Sequence, residues 1–221
     1  MGERILGRDE VAGSTPVAST ILKVQKRKAM RIIAGSLRGK KIESLPGLAT
    51  RPLLGRIKKS LFDILGERIV DASFLDLYAG TGSVGIEALS RGAKYVLFVE
   101  KETRLTGLIR ENLKKCALEK KATVAEIDIL SYNKEGRKFS LLEQFDLIFA
   151  GPPYKLNLTR DTLDIIIKLH LLKKNGWVIC QHHFKEKVPE KKGFLRRFRK
   201  ERYGKTIMSF YKAGNNLLGG E

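Results

Sequence analysis

The spacing of apolar and polar positions changes period several times along the chain, and each change predicts an element. Met30-Arg-Ile-Ile-Ala-Gly-Ser-Leu-Arg-Gly-Lys-Lys-Ile-Glu43 alternates apolar and basic residues around Gly35 and Gly39, which predicts a short hairpin. Over Arg56–Leu65 the spacing places Ile57, Leu61, Ile64 and Leu65 on one helical face, with Arg56, Lys59 and Asp63 elsewhere. From Phe74 onward strand and helix patterns alternate. Strands are predicted over Phe74–Leu77, Tyr95–Val99, Ala122–Ile127, Phe145–Ala150 and Gly176–Gln181, and helices over Val84–Arg91, Arg104–Leu118 and Thr159–Leu171. Such alternation argues for an open parallel α/β sheet covered on both faces. Phe194–Tyr203 and Thr206–Tyr211 read as an antiparallel hairpin closing the sheet edge. The expected organisation is a disordered arm or upstream extension over 1–29, a basic hairpin and helix over 30–70, the sheet domain over 71–213 and a tail over 214–221. Met30 is a candidate natural start.

Composition narrows the function. A chain of 221 residues holds one good-sized core with a small appended unit. No apolar run is long enough to span a bilayer, and residues 1–29 lack the apolar core of a signal peptide, so a cytoplasmic protein with no membrane partner is expected. Cys116 and Cys180 show no metal-ligand spacing; His182-His183 beside Cys180 resembles a metal half-site but lacks an i, i+4 partner, so no metal is expected. The net charge of +19 is unevenly spread. Residues 30–59 carry eight basic residues against one acidic, and 184–212 carry eleven against three, while the middle of the chain is close to neutral. A neutral core between basic flanks suits a protein that handles a small molecule in one part and a polyanion in another. A merely soluble basic surface would not avoid the middle.

The candidate small-molecule stretch is Phe74-Leu-Asp-Leu-Tyr-Ala-Gly-Thr-Gly-Ser-Val-Gly-Ile-Glu87, an apolar strand running into Gly80, Gly82 and Gly85 and then a helix. Glycines there allow a sharp turn and close approach to a ligand, and the helix offers free N–H groups. Gly80-x-Gly82-x-x-Gly85 also fits the dinucleotide pattern, and a tight turn that binds nothing remains open. Asp76 favours S-adenosylmethionine: a carboxylate at the strand end suits its α-amino group and sulfonium but repels a pyrophosphate. Glu100, eighteen residues past Gly82, is placed to accept both ribose hydroxyls, or else to cap the next helix. Asp128 is placed to accept from the adenine amine, or else is an ordinary loop aspartate. After the fourth strand, Phe145-Asp-Leu-Ile-Phe-Ala-Gly-Pro-Pro-Tyr154 sets a rigid backbone with unclaimed carbonyls before an aromatic ring, which suits a stacked base bearing an exocyclic amine. A Pro-Pro turn with a core tyrosine is the plainer alternative.

On Met30-Arg-Ile-Ile-Ala-Gly-x-x-Arg-Gly39, Arg51-Pro52 with Leu61-Phe-Asp-Ile-Leu65, Asp76-Leu-Tyr-Ala-Gly-Thr-Gly82 with Gly85 and Glu87, Glu100, Pro152-Pro-Tyr154 and Tyr203-Gly204, the chain resembles the class I adenosylmethionine-dependent methyltransferases. Within them it is similar to the bacterial RsmD family, which methylates guanine N2 in small-subunit ribosomal RNA. The resemblance implies a Rossmann-like sheet with S-adenosylmethionine held by Asp76, Tyr78, Ala79, Gly80, Thr81, Gly82, Glu100, Lys101, Asp128 and Ile129. It implies chemistry at Gly151, Pro152, Pro153 and Tyr154, and RNA contact at Arg31, Arg38, Lys40, Lys41, Arg51 and Arg56. The implied partner is small-subunit ribosomal RNA or the assembled subunit, bound by a monomer. Two positions depart from the pattern. Gly151 stands where the family has Asp, or related amino methyltransferases have Asn, and Lys59 stands where an acidic residue is expected. Losing one positioned hydrogen bond at a reacting group costs about 10²–10³ in rate. A cofactor- and RNA-binding protein with weak or no catalysis therefore stays open, as does a methyltransferase for another nucleic-acid amine such as adenine N6.

Overall fold

The computed structural model describes residues 28–44, 55–132, 144–153 and 157–214. Arg51, Tyr154, most of the N-terminal arm and nearly all of the tail lie outside them. The first elements are an antiparallel hairpin, β1 (Lys28–Arg31) and β2 (Lys41–Ser44), and helix α1 (Gly55–Leu65). Next come β3 (Ser73–Leu77), α2 (Ser83–Ser90), β4 (Tyr95–Glu100), α3 (Thr103–Cys116), β5 (Ala122–Glu126) and the short α4 (Ile129–Tyr132). The chain continues through β6 (Phe145–Ala150), α5 (Thr159–Lys168), β7 (Leu172–His183), β8 (Lys191–Lys192), β9 (Leu195–Tyr203) and β10 (Thr206–Ala213). The last eight strands form one sheet ordered β5-β4-β3-β6-β7-β10-β9-β8. From β5 to β7 neighbours run parallel; β10, β9 and β8 are antiparallel. The mostly parallel sheet with an antiparallel edge hairpin is thus the architecture the alternation predicts. No helix among the described residues is long and apolar enough to cross a membrane.

Boundaries differ from the pattern where local backbone geometry intervenes. Helix α3 stops at Cys116 because Ala117 turns left-handed at φ 56°, and α5 stops at Lys168 shortly before His170 does the same at φ 50°. Strand β7 begins four residues earlier than predicted, because Lys173-Lys174-Asn175-Gly176 forms an irregular stretch without alternation. There the β6 register jumps from Phe145–Leu172 to Leu147–Trp177.

The strands alternate between two apolar layers. Phe74, Phe98, Phe149, Ile179 and Phe210 face α1, α2, α3 and the hairpin, while Leu75, Leu77, Val99, Ile148 and Val178 face α5. Strand order reverses direction at β3, whose two neighbours are β4 and β6. The carboxyl ends of β3 and β6 therefore adjoin at the switch point where ligands of such sheets gather.

The N-terminal unit is fastened to this sheet through one carboxylate. Glu87 on α2 is fully buried; its Oε2 accepts the Ile33 N–H at 2.9 Å and its Oε1 the Ala34 N–H at 2.9 Å. Lys58 Nζ of α1 lies 3.1 Å from Oε2, and Arg91 Nε donates to Oε1 at 3.0 Å. Beside it the hairpin loop presses onto α2 so closely that a Cβ on Gly35 would fall 1.8 Å from the Ser90 carbonyl oxygen, and Gly35 has φ +83°. Asn112 of α3 binds both backbone groups of Glu43, and the Ser60 and Tyr203 hydroxyls join α1 to the β9–β10 turn. On α1 the outward residue is Lys59, paired with Asp63 at 2.7 Å, while its neighbour Lys58 turns inward and leaves the basic surface. Burial lowers the Lys58 pKa against the pull of Glu87.

Breaking a buried pair strands the remaining charge and costs about 3–5 kcal/mol. Glu87→Gln is expected to lose stability on that scale in urea denaturation, while Lys59→Ala, at an exposed pair, changes it by less than about 1 kcal/mol. A Glu87→Gln loss as small as that of Lys59→Ala would remove Glu87 as the anchor.

Candidate active site

The β3 strand leaves the apolar layer at Asp76, which is 1 % exposed. Its Oδ2 accepts the N–H of Gly85 in the first turn of α2 at 2.9 Å. Desolvation dominates and, helped by the charge of Glu100, pushes the Asp76 pKa up to about 8 despite that bond. A carboxyl held protonated by burial is one that an arriving cation would ionise.

Between β3 and α2 the chain turns through Tyr78, Gly80 and Gly82, all at positive φ. Strained backbone at a non-glycine residue is common where ligands are clamped. The loop is braced on both sides. The Tyr78 hydroxyl donates to Thr162 Oγ1 of α5 at 2.8 Å, since the Thr162 hydroxyl is itself spent on the Leu158 carbonyl, and burial raises the tyrosine to about 12. The Ala79 N–H donates to Val99 O at 3.1 Å. Thr81 and Gly82 are buried, while Ala79 and Gly80 keep partial exposure. Gly85 has a different role from the close ligand approach the sequence assigns it. A Cβ there would lie 2.3 Å from Phe98 Cε1, so this glycine lets α2 pack on β4.

At the end of β4, Glu100 is drawn into the same brace. Its Oε2 accepts the Gly80 N–H at 2.8 Å, and its Oε1 accepts those of Lys101 at 2.9 Å and Glu102 at 3.0 Å. Each carboxylate oxygen has two lone pairs, so one on Oε2 remains for a ligand rather than the two acceptors expected from its place at a strand end. Asp128 uses Oδ1 to accept the Leu130 N–H at 3.1 Å, capping α4, and its Oδ2 lies 3.7 Å from the exposed Lys101 ammonium. Ile129 is a core residue at 2 % exposure.

Strand β6 delivers the Pro-Pro segment to this place. Leu77 pairs with Ala150, and the Gly151 N–H reaches the Leu77 carbonyl at 3.4 Å. Pro152 is buried and Pro153 exposed. Two side chains border Gly151 closely: a Cβ would sit 3.2 Å from Phe149 Cε1 and 3.9 Å from Gln181 Oε1. Gln181 is not among the residues the sequence singles out. Its only local signal is that it ends a predicted strand; its place beside Gly151 follows from the β6–β7 register.

The basic candidates spread along the N-terminal unit. Arg31, Arg38, Lys41 and Arg56 are exposed and Lys40 half-exposed, and Arg31 Nη1 donates to the Gly39 carbonyl at 3.2 Å. A second basic stretch, exposed Arg196, Arg199, Lys200 and Arg202, runs along β9. His182 is engaged inside the sheet, with Nε2 at 2.9 Å from Ser209 Oγ.

The model of a family described as Conserved hypothetical protein 95 matches residues 30–212. Among curated proteins, YlbH of Bacillus subtilis, named as a candidate rRNA methyltransferase, is 34% identical over 83% of this chain and 98% of its own. The Ribosomal RNA small subunit methyltransferase D of Haemophilus influenzae is 35% identical over 69% of this chain and 78% of its own. Among solved structures, Escherichia coli yhhF, named as a candidate methyltransferase, superposes with a TM-score of 0.74 at 26% identity, covering 84% of this chain and 98% of that one.

Between the ordinary carboxylate range and about pH 8, the folded chain keeps a proton on Asp76 that the unfolded chain releases. The stability this contributes is complete at low pH and is lost as pH rises through about 8. Asp76→Asn cannot ionise, so its unfolding free energy relative to the unsubstituted protein is expected to improve as pH rises from the ordinary carboxylate range to about 8 and to level off above it. Parallel stability curves would show that Asp76 does not titrate there.

Proposed function

The chain belongs to the family described as Conserved hypothetical protein 95, and is an RsmD-like class I methyltransferase; on that premise we propose that it methylates the N2 amine of a guanine in small-subunit ribosomal RNA. S-adenosylmethionine would supply the methyl carbon, activated by its sulfonium. The observation that carries the reading is the junction of the β3 and β6 carboxyl ends, where a buried carboxyl and a braced glycine loop meet the Gly151-Pro-Pro segment.

The residues fit such a ligand. Asp76, pushed up by burial, gains an ion-pair partner from the cationic amino-acid end. The loop from Tyr78 to Gly82 is held in shape before any ligand arrives, and the last lone pair on Glu100 would accept from a ribose hydroxyl. Lys101, Asp128 and Ile129 border the adenine side in this reading. Pro152 and Pro153 fix the backbone beside the base, and Tyr154 stacks on it. The extruded base must be placed with its amine in line with the methyl carbon, so catalysis is largely positioning. Arg31, Arg38, Lys40, Lys41, Arg51 and Arg56 hold phosphates and fix the register of the RNA without reading its sequence.

Gly151 favours a second reading, a protein that binds cofactor and RNA without transfer. Incubation with cofactor labelled in the methyl group separates the two: the first expects label in the RNA of small ribosomal subunits, the second expects both ligands bound and no label in RNA. Phosphate contact also makes binding salt-dependent. Replacing Arg38 and Lys41 by Ala is expected to flatten the slope of log K against log salt by about 2, roughly one for each phosphate no longer neutralised. An unchanged slope would move the RNA off this hairpin.

A further inference from the structure

The side chain missing at Gly151 has a neighbour that reaches the same space. Ala150 pairs with Cys180, so one residue further on Gly151 lies beside Gln181 at the carboxyl ends of β6 and β7. Alternation puts Gln181 on the sheet face of Ile179, which pairs with Phe149, which in turn pairs with Asp76. Its Oε1 lies 3.9 Å from where a Gly151 Cβ would be, so it borders the space that an aspartate carboxylate from that position would enter. Gln181 is half-buried at the open end of the sheet. We propose that Gln181 is a catalytic residue whose side-chain carbonyl accepts the hydrogen bond from the target amine that Gly151 cannot accept.

This role rests on the methyl-transfer reading. The amide oxygen takes one N–H of the exocyclic amine and turns the nitrogen lone pair out of conjugation with the ring. That pair forms the new N–C bond as the C–S bond breaks, and the bonding electrons return to sulfur, leaving a neutral thioether. The surplus proton on the methylated nitrogen passes to water, because a neutral amide does not hold it. A carboxylate at 151 would do the same positioning with a charge. Phe149 Cε1 at 3.2 Å from the Cβ position need give way by only a few tenths of an ångström to admit one.

The test compares the unsubstituted protein, Gln181→Ala, Gly151→Asp and the double variant, using small ribosomal subunits and adenosylmethionine, with cofactor binding, RNA binding and melting temperature measured alongside. Gln181→Ala is expected to lower kcat by about 10²–10³-fold, the scale of one positioned hydrogen bond at a reacting group, while both affinities and the melting temperature hold. Adding Gly151→Asp to Gln181→Ala is expected to recover most of that loss. Undiminished kcat in Gln181→Ala overturns the inference, as does a loss matched by weakened binding or melting. If the unsubstituted protein is inactive and Gly151→Asp alone is active, Gln181 does not supply the acceptor, while methyl chemistry on this fold stands. If no variant transfers methyl although both ligands bind, the functional reading itself fails and the role of Gln181 with it.

Discussion

One buried carboxylate decides how the two parts of this protein sit together. Glu87 faces two backbone N–H groups of the hairpin loop, the Lys58 ammonium and the Arg91 guanidinium. A charge with no exposure is tolerable only when fully paired and hydrogen-bonded, and here every partner comes from a different place in the chain or from the next helical turn. The helix that carries Glu87 also starts at the glycine loop. The basic hairpin and the candidate cofactor loop are therefore mounted on one short, wholly buried helix. RNA held by the hairpin would be positioned relative to the loop by packing, with no linker between them.

The candidate site is likewise built from groups that support one another. Asp76 braces the first turn of α2, Glu100 braces the loop at Gly80, and Tyr78 pins the loop to α5. Such bracing keeps the loop in place before a ligand arrives, which lowers the ordering cost of binding. It also limits what each carboxylate can still offer: burial pushes the Asp76 pKa up to about 8, and Glu100 keeps one lone pair. The first invites a cation and the second a single hydroxyl. Pro152 and Pro153 follow β6 at the same junction, where their rings fix the backbone φ.

Much of this was legible in the sequence because hydrophobic period is a local signal. The hairpin around Gly35 and Gly39, the five core strands and the edge hairpin all follow from it. Where the pattern fell short, the missing information was non-local. Periodicity cannot tell whether Lys58 or Lys59 turns inward, since the choice depends on Glu87, nearly thirty residues away. The spacing of Gly85 suggests ligand approach, but its neighbour is Phe98 on the next strand. Glu100 looks like a ligand residue from its place at a strand end, yet three backbone N–H groups claim most of it. Gln181 carries no motif at all. Only the pairing of β6 with β7 brings it beside Gly151, and strand order is what the linear pattern does not contain.

In the proposed function, the junction of β3 and β6 presents a guanine amine of ribosomal RNA to an activated methyl group. The most direct measurement is mass spectrometry of the nucleosides from small-subunit RNA after incubation with the protein and S-adenosylmethionine. The expected product is N2-methylguanosine at one mole or less per mole of subunit. Methylation confined to adenosine, or RNA that binds and is released unmodified, would contradict it.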